Sequence, residues 1–223
     1  MKFKSLIFDL DGTLVDTIAD IAASMNKALA RHSFPPLIPS EYTQIVGWGI
    51  KRLAFLALPL EEQRKPGAEE LAEAVAQDAA QFYAESPLAY SKPYPGMLEA
   101  VAELKRKKIK TAVVTNKPDP VARLVMQGLF PLGSFDRIRG DQPGTPRKPD
   151  PSVIWDILVE LDGTPKETIL GGDSEIDVET AHNSNCHAVG VSWGFRPRQV
   201  LEKAGADRII DTPEELLNFI KTL

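Results

Sequence analysis

The sequence predicts an α/β fold: a parallel sheet covered by helices on both faces, with a helical segment inserted after the first strand. Three features of the 223 residues carry this expectation. Short apolar runs without alternation recur along the chain. Helical patterns separate the later runs. Some seventy residues behind the first run carry helical periodicity and no convincing strand.

The first run, residues 5–10, has the unbroken apolar pattern of a strand buried on both faces. Similar runs at 111–115, 168–170, 188–191 and 208–210 predict further strands. Helical patterns at 96–107, 119–129, 152–161, 176–184 and 197–204 lie around and between them. A final helix starts clearly, with Thr212 as N-cap, Pro213 in the first turn and Glu215 positioned to close a capping box. Strands alternating with single helices make this half a Rossmann-like core.

The segment 16–86 differs. Ile18, Ile21, Ala22, Met25, Ala28 and Leu29 recur at helical spacing, and further helices are expected at 51–58 and 69–84. The expected division is a core of residues 1–15 and 87–223 with a helical cap of residues 16–86. The proline-rich stretch 86–96 would be the return hinge.

Composition narrows the function classes. Hydrophobic residues make up 43% and charged residues 26%, the balance of a soluble globular chain. A net charge of −5 argues against nucleic acid or an anionic membrane as the main partner. No stretch approaches the roughly 20 apolar residues of a membrane span. Asp9 and Asp11 interrupt the first apolar run too early for a signal peptide. Cys186 is the only cysteine, so no internal disulfide forms and a reducing, cytoplasmic setting is expected. Oligomeric state has no signature in the sequence.

Four strand-end motifs carry chemistry. Asp9 and Asp11, two apart in Phe8-Asp9-Leu10-Asp11-Gly12-Thr13, can face one site, since residues two apart on a strand point the same way. Gly12 allows a tight departure. Thr115-Asn116-Lys117 ends a second strand with a hydroxyl and an amide. Lys148 stands in Arg147-Lys148-Pro149-Asp150-Pro151, ahead of a helix start. Asp173 and Asp177, four apart, follow a fourth strand, where Asp173 could equally be an N-cap and Asp177 a helix-dipole partner. In parallel sheets ligands gather at the carboxyl ends of strands, where the Asp9 and Asp11 pair falls, and each of the four motifs lies at a strand end or a helix start.

In this order the motifs resemble those of the haloacid dehalogenase superfamily. The helical segment with Val46-Gly47-Trp48-Gly49, together with Tyr94-Pro95-Gly96 and Thr115-Asn116-Lys117-Pro118, is similar to its phosphoglycolate phosphatase-like branch. The resemblance implies a magnesium-dependent phosphatase that forms an aspartyl phosphate on Asp9. Magnesium would be held by the Asp9 carboxylate, the Asp11 carbonyl and the Asp173 carboxylate, with Asp177 ordering the shell around it. Asp11 would be the acid and base, while Thr115, Asn116 and Lys148 would hold phosphate. The implied substrate is a small phosphorylated metabolite, with 2-phosphoglycolate the best guess. A sugar phosphomutase, a pyrophosphatase or a non-catalytic interaction protein are the alternatives.

Within the cap, Gly47 and Gly49 would let backbone approach a substrate, and Lys51 or Arg52 could meet a substrate carboxylate. Asn185 is expected to end its helix in the left-handed conformation. His32, His182 and His187 show no metal-ligand spacing.

Overall fold

A computed structural model describes residues 3–221. From the first strand the chain runs β1 (Ser5–Phe8), β2 (Val15–Asp16), α1 (Ile18–Arg31), α2 (Pro39–Ile45), α3 (Ile50–Ala57), α4 (Leu60–Gln63), α5 (Ala68–Glu85) and β3 (Lys92–Pro93). It continues through α6 (Met97–Arg106), β4 (Lys110–Pro118), α7 (Asp119–Leu129), β5 (Arg137–Asp141) and α8 (Ser152–Leu161). It closes with β6 (Thr168–Gly172), α9 (Glu175–Asn183), β7 (His187–Val191), α10 (Arg198–Ala204), β8 (Arg208–Ile210) and α11 (Pro213–Lys221). Residues 1, 2, 222 and 223 of the expected core lie outside the described residues.

Six strands form one parallel sheet in the order β5-β4-β1-β6-β7-β8. β1 is central, with Phe8 opposite Val113 on one side and Gly171 on the other. Its apolar run is unbroken because its side chains serve two cores. Leu6 and Phe8 join one cluster with Met97 and Leu104 of α6, whereas Ile7 joins a second with Ile154 and Ile157 of α8. Val113 and Ala112 divide in the same way. Each Val, Leu, Ile, Phe or Met side chain among them, fully buried, contributes about 1.5–3 kcal/mol. Cys186 lies buried in the second cluster, and no helix among the described residues is long and apolar enough to cross a membrane.

The helices between β1 and β3 add no strand to this sheet. α1 and α5 pack together, burying Met25 and the small Ala28, Ala72 and Ala76 in one cluster that is continuous with the core beneath. The two crossings between insertion and core run side by side as an antiparallel ribbon, Val15 opposite Pro93 and Asp16 opposite Lys92. The buried Asp20 carboxylate fastens the return by accepting from the Ser91 amide at 2.7 Å and the Tyr90 amide at 3.1 Å.

Three elements escape a pattern-based reading. β5 has no apolar run. It is an edge strand whose Arg137 and Arg139 both donate to Glu160 of α8, at 2.5 and 2.8 Å. Gly140 is required there, since a Cβ would lie 2.4 Å from the Asp119 Cα. α2 begins at Pro39 and is capped by Glu41 accepting from the Ile38 amide at 2.8 Å, and α4 is a single turn. At α11 the Thr212 hydroxyl accepts from the Glu215 amide at 3.2 Å, but the Glu215 carboxylate reaches past Thr212 to the Asp211 amide. Asn185 ends α9 with φ of +59°.

Candidate active site

β1 stops at Phe8, one residue before Asp9, so the alternation argument for Asp9 and Asp11 does not apply. A tight turn brings the pair together instead. The amides of Leu14 and Val15 both donate to the Leu10 carbonyl, and Gly12 adopts φ of +84°. Asp9 remains in register with the sheet, its amide donating to the Gly171 carbonyl at 2.9 Å. Both carboxylates line one cavity, yet each is held by its own lysine.

Lys148 arrives from the loop before α8 and is 4% exposed. Its ammonium donates to Asp9 Oδ1 at 2.8 Å and to Asp177 Oδ1 at 2.7 Å. The other Asp177 oxygen accepts from the Ser174 hydroxyl at 2.7 Å and the Ser174 amide at 3.1 Å. Ser174 is therefore the N-cap of α9 and Asp177 closes its capping box. Asp173 is released from capping, and its Oδ2 accepts from the Phe195 amide at 2.7 Å. Glycines make this crowding possible. A Cβ on Gly12 would lie 2.4 Å from Asp173 Oδ2, and one on Gly172 would lie 2.1 Å from Asp177 Cγ.

Asp9, Asp173 and Asp177 each offer an oxygen within 4.8 Å of the others. Burial, then the charges of Asp177 and Asp11, push the Asp9 carboxyl up to about 7, with Lys148 offsetting part of the rise. Burial, then Asp177 and Asp9, hold Asp173 well above its ordinary value. Burial alone would lower the Lys148 ammonium, but Asp177 and Asp9 hold it above its ordinary range. One lysine does not neutralise three carboxylates. An all-oxygen donor set of this charge suits a hard divalent cation. The grouped carboxylates are Asp9 and Asp173, with Asp177 beside them, while the Asp11 carboxylate stands apart; the Asp11 donor implied by the resemblance is its backbone carbonyl.

Asp11 Oδ1 accepts from Lys117 Nζ at 2.9 Å and from the Thr17 hydroxyl at 2.6 Å. Lys117 is 8% exposed, and its ammonium lies 4.1 Å from the ring centre of Tyr83, a residue of α5. Sequence reasoning assigned no role to Lys117, Thr17 or Tyr83. The signal available was Lys117's place beside Thr115 in the same strand-end motif.

Thr115 lines the cavity, and its hydroxyl accepts from the Lys117 amide at 3.2 Å. Asn116 also lines the cavity, with its side chain turned to other partners. Its side-chain amide donates to the Gly47 and Lys148 carbonyls at 2.9 and 3.0 Å, and its carbonyl accepts from the Lys148 amide at 3.0 Å. That side chain ties the lysine loop and the insertion to β4. Gly47 and Gly49 line the cavity with φ of +118° and +86°. Lys51 and Arg52 do not. Lys51 is exposed and paired with Glu73, and Arg52 lies 5.2 Å over the Phe55 ring. Their backbone starts α3 at the cavity while the side chains project away from it.

Arg196, also missed, joins core to insertion by donating to the carbonyls of Thr43 and, at 2.8 Å, Val46. It also pairs with Glu175 at 3.3 Å.

The model of the haloacid dehalogenase-like hydrolase family matches residues 6–191. Phosphoglycolate phosphatase of Aquifex aeolicus is 30% identical over 192 residues, covering 86% of each chain. That of Rhodospirillum rubrum is 33% identical over 216 residues, covering 93% of this chain and 87% of its own. Among solved structures, a protein of Lactobacillus delbrueckii subsp. bulgaricus superposes with a TM-score of 0.89 at 32% identity over 99% of both chains. A predicted phosphoglycolate phosphatase from Haemophilus somnus gives 0.88 at 27% identity over 98% of both.

Proposed function

The chain belongs to the haloacid dehalogenase-like hydrolases and is a phosphatase of that family, and on this premise we propose that it hydrolyses small phosphomonoesters through an aspartyl phosphate on Asp9. The observation that carries the reading is Lys148 bridging Asp9 and Asp177 beside Asp173, with Asp11 held separately by Lys117. Two carboxylates of one turn are thereby given different partners and different work.

Asp9 attacks phosphorus, its new P–O bond replacing the bond to the leaving oxygen, which takes a proton from Asp11. Water then attacks the phosphoenzyme and gives its proton to Asp11, so that phosphate departs and the Asp9 carboxylate returns. Lys148 holds one Asp9 oxygen throughout and balances charge on the transferring group, and Thr115 offers its hydroxyl to a phosphoryl oxygen. Asp9 and Asp173, with Asp177 beside them and the Asp11 carbonyl as an additional donor, would hold magnesium, which would supply the positive charge that lets a carboxylate approach a phosphate dianion. Residues 16–86 are proposed as the cap over a core of residues 1–15 and 87–223, in a cytoplasmic enzyme.

The test is phosphate release from a panel of phosphomonoesters with 2-phosphoglycolate, the compound in the relatives' names, as reference. Magnesium-dependent release without a bisphosphate activator is expected. Release of no phosphate, alongside isomerisation of a sugar phosphate when a bisphosphate is added, would replace the hydrolase by a mutase.

Gly12→Ala is expected to lower kcat/KM roughly 100-fold and to raise the magnesium concentration needed for half activity. The methyl group would both oppose the positive φ and displace Asp173. A magnesium titration of turnover measures this, and an unchanged midpoint would mean that Asp173 does not act through the metal.

A further inference from the structure

The catalytic end of the cavity is crowded with charge, but the wall above it is not. Ile21 and Met25 of α1, Ile50 and Leu53 of α3 and Val121 of α7 are among the apolar residues of that wall, around a space of about 790 Å³ that includes its mouth. A carboxylate placed there needs a cation or several donors, because a buried charge without a partner is strongly disfavoured. The described lining holds two cations, Lys117 and Arg196, and both are engaged. Lys117 donates to Asp11 at 2.9 Å and lies against the Tyr83 ring. Arg196 donates to Thr43, Val46 and Glu175. Lys51 and Arg52, the cations nearest in sequence, do not line the cavity. What remains is neutral. The Tyr83 hydroxyl is buried without a hydrogen-bond partner, and the first-turn amides of α3 carry only the partial charge of a helix start, about half an elementary charge.

We propose that the insertion side of this cavity selects phosphomonoesters whose alcohol part is uncharged and mainly apolar. The inference rests on the phosphatase reading and narrows its substrate class away from anionic alcohols such as glycolate. The phosphoryl group would meet Lys148 and Thr115, while the alcohol would bury its carbons against Ile50, Leu53 and Met25, with the Tyr83 hydroxyl free to meet one uncharged oxygen. Selection by burial acts on binding of the alcohol, so discrimination should appear in KM more than in kcat.

The experiment compares 3-methylbutyl phosphate with 2-phosphoglycolate in two ways. Turnover is measured on the magnesium-loaded wild-type protein, and binding is measured by calorimetry on Asp9→Asn with magnesium, where no phosphoenzyme can form. The expected result is at least a 10-fold higher kcat/KM, and at least 10-fold tighter binding, for the alkyl ester. Ile50→Arg, which adds a cation at a half-buried lining position, should move the ratio toward 2-phosphoglycolate by 10-fold or more. Ala80→Arg, on α5, tests the same point from a second position if the first variant does not fold. Equal or tighter binding of 2-phosphoglycolate to Asp9→Asn overturns the proposal. Preferential binding of the alkyl ester with no magnesium-dependent release from any ester leaves the pocket assignment standing and removes the phosphatase reading instead.

Discussion

Asp9→Asn should abolish turnover, by at least about 10⁴-fold, while making the metal-free protein more stable at neutral pH. The first effect follows because a carboxamide cannot form and release an acyl phosphate. The second follows from the burial of Asp9 among like charges. Its carboxyl is raised from an ordinary 3.8 to about 7, so between those values the folded state binds more protons than the unfolded state. Stability of the metal-free wild type should therefore fall as pH rises from about 4 to about 7, and this contribution is flat above and below that window. The variant lacks the ionisation and should lack its share of the slope, gaining up to about 4 kcal/mol at pH 8. Urea unfolding of both proteins in chelator, at several pH values, measures the difference. A variant less stable than wild type at pH 8 would show that the ion pair with Lys148 outweighs the desolvation of Asp9.

Lys148→Met should cost both activity and stability, in contrast to Asp9→Asn. Among the described residues its ammonium is the single cation paired with Asp9 and Asp177, and the lysine side chain is 3% exposed. Removing it leaves two buried carboxylates facing each other, a change that costs about 3–5 kcal/mol when one partner of a buried pair is lost. Magnesium should restore part of that loss, since the ion places positive charge among the same oxygens. Turnover should fall about 10³-fold even at saturating magnesium, because charge developing on the phosphoryl oxygens loses its fixed donor. Thermal unfolding with and without magnesium, together with kcat, separates the two effects. Wild-type kcat in a destabilised variant would confine Lys148 to a structural role.

These two predictions concern residues that could be named before any coordinates, and the reason is chemical. Asp9, Asp11, Lys148 and Asp173 sit at strand ends or helix starts, where side-chain type and order along the chain already limit what they can do. The unbroken apolar runs could likewise be read as strands buried on both faces. That Leu6 and Ile7 serve different clusters is the same statement in three dimensions. Elements whose local pattern is weak could not be read this way. β5 owes its existence to pairing with β4 and to Glu160 of another helix. Periodicity does not report such partners.

The sequence by itself determined the parallel core, the helical insertion and the cast of strand-end residues, because apolar period and side-chain chemistry are local properties. Only the tertiary structure decided which charge faces which. It gave Asp177 to Lys148 and Ser174, and Asp11 to Lys117 and Thr17. It drew Asn116 into a structural tie and left Lys51 and Arg52 outside the cavity. A pairing such as Asp11 with Lys117, separated by 106 positions, is set by distance and desolvation, and both exist only once the two cores have closed.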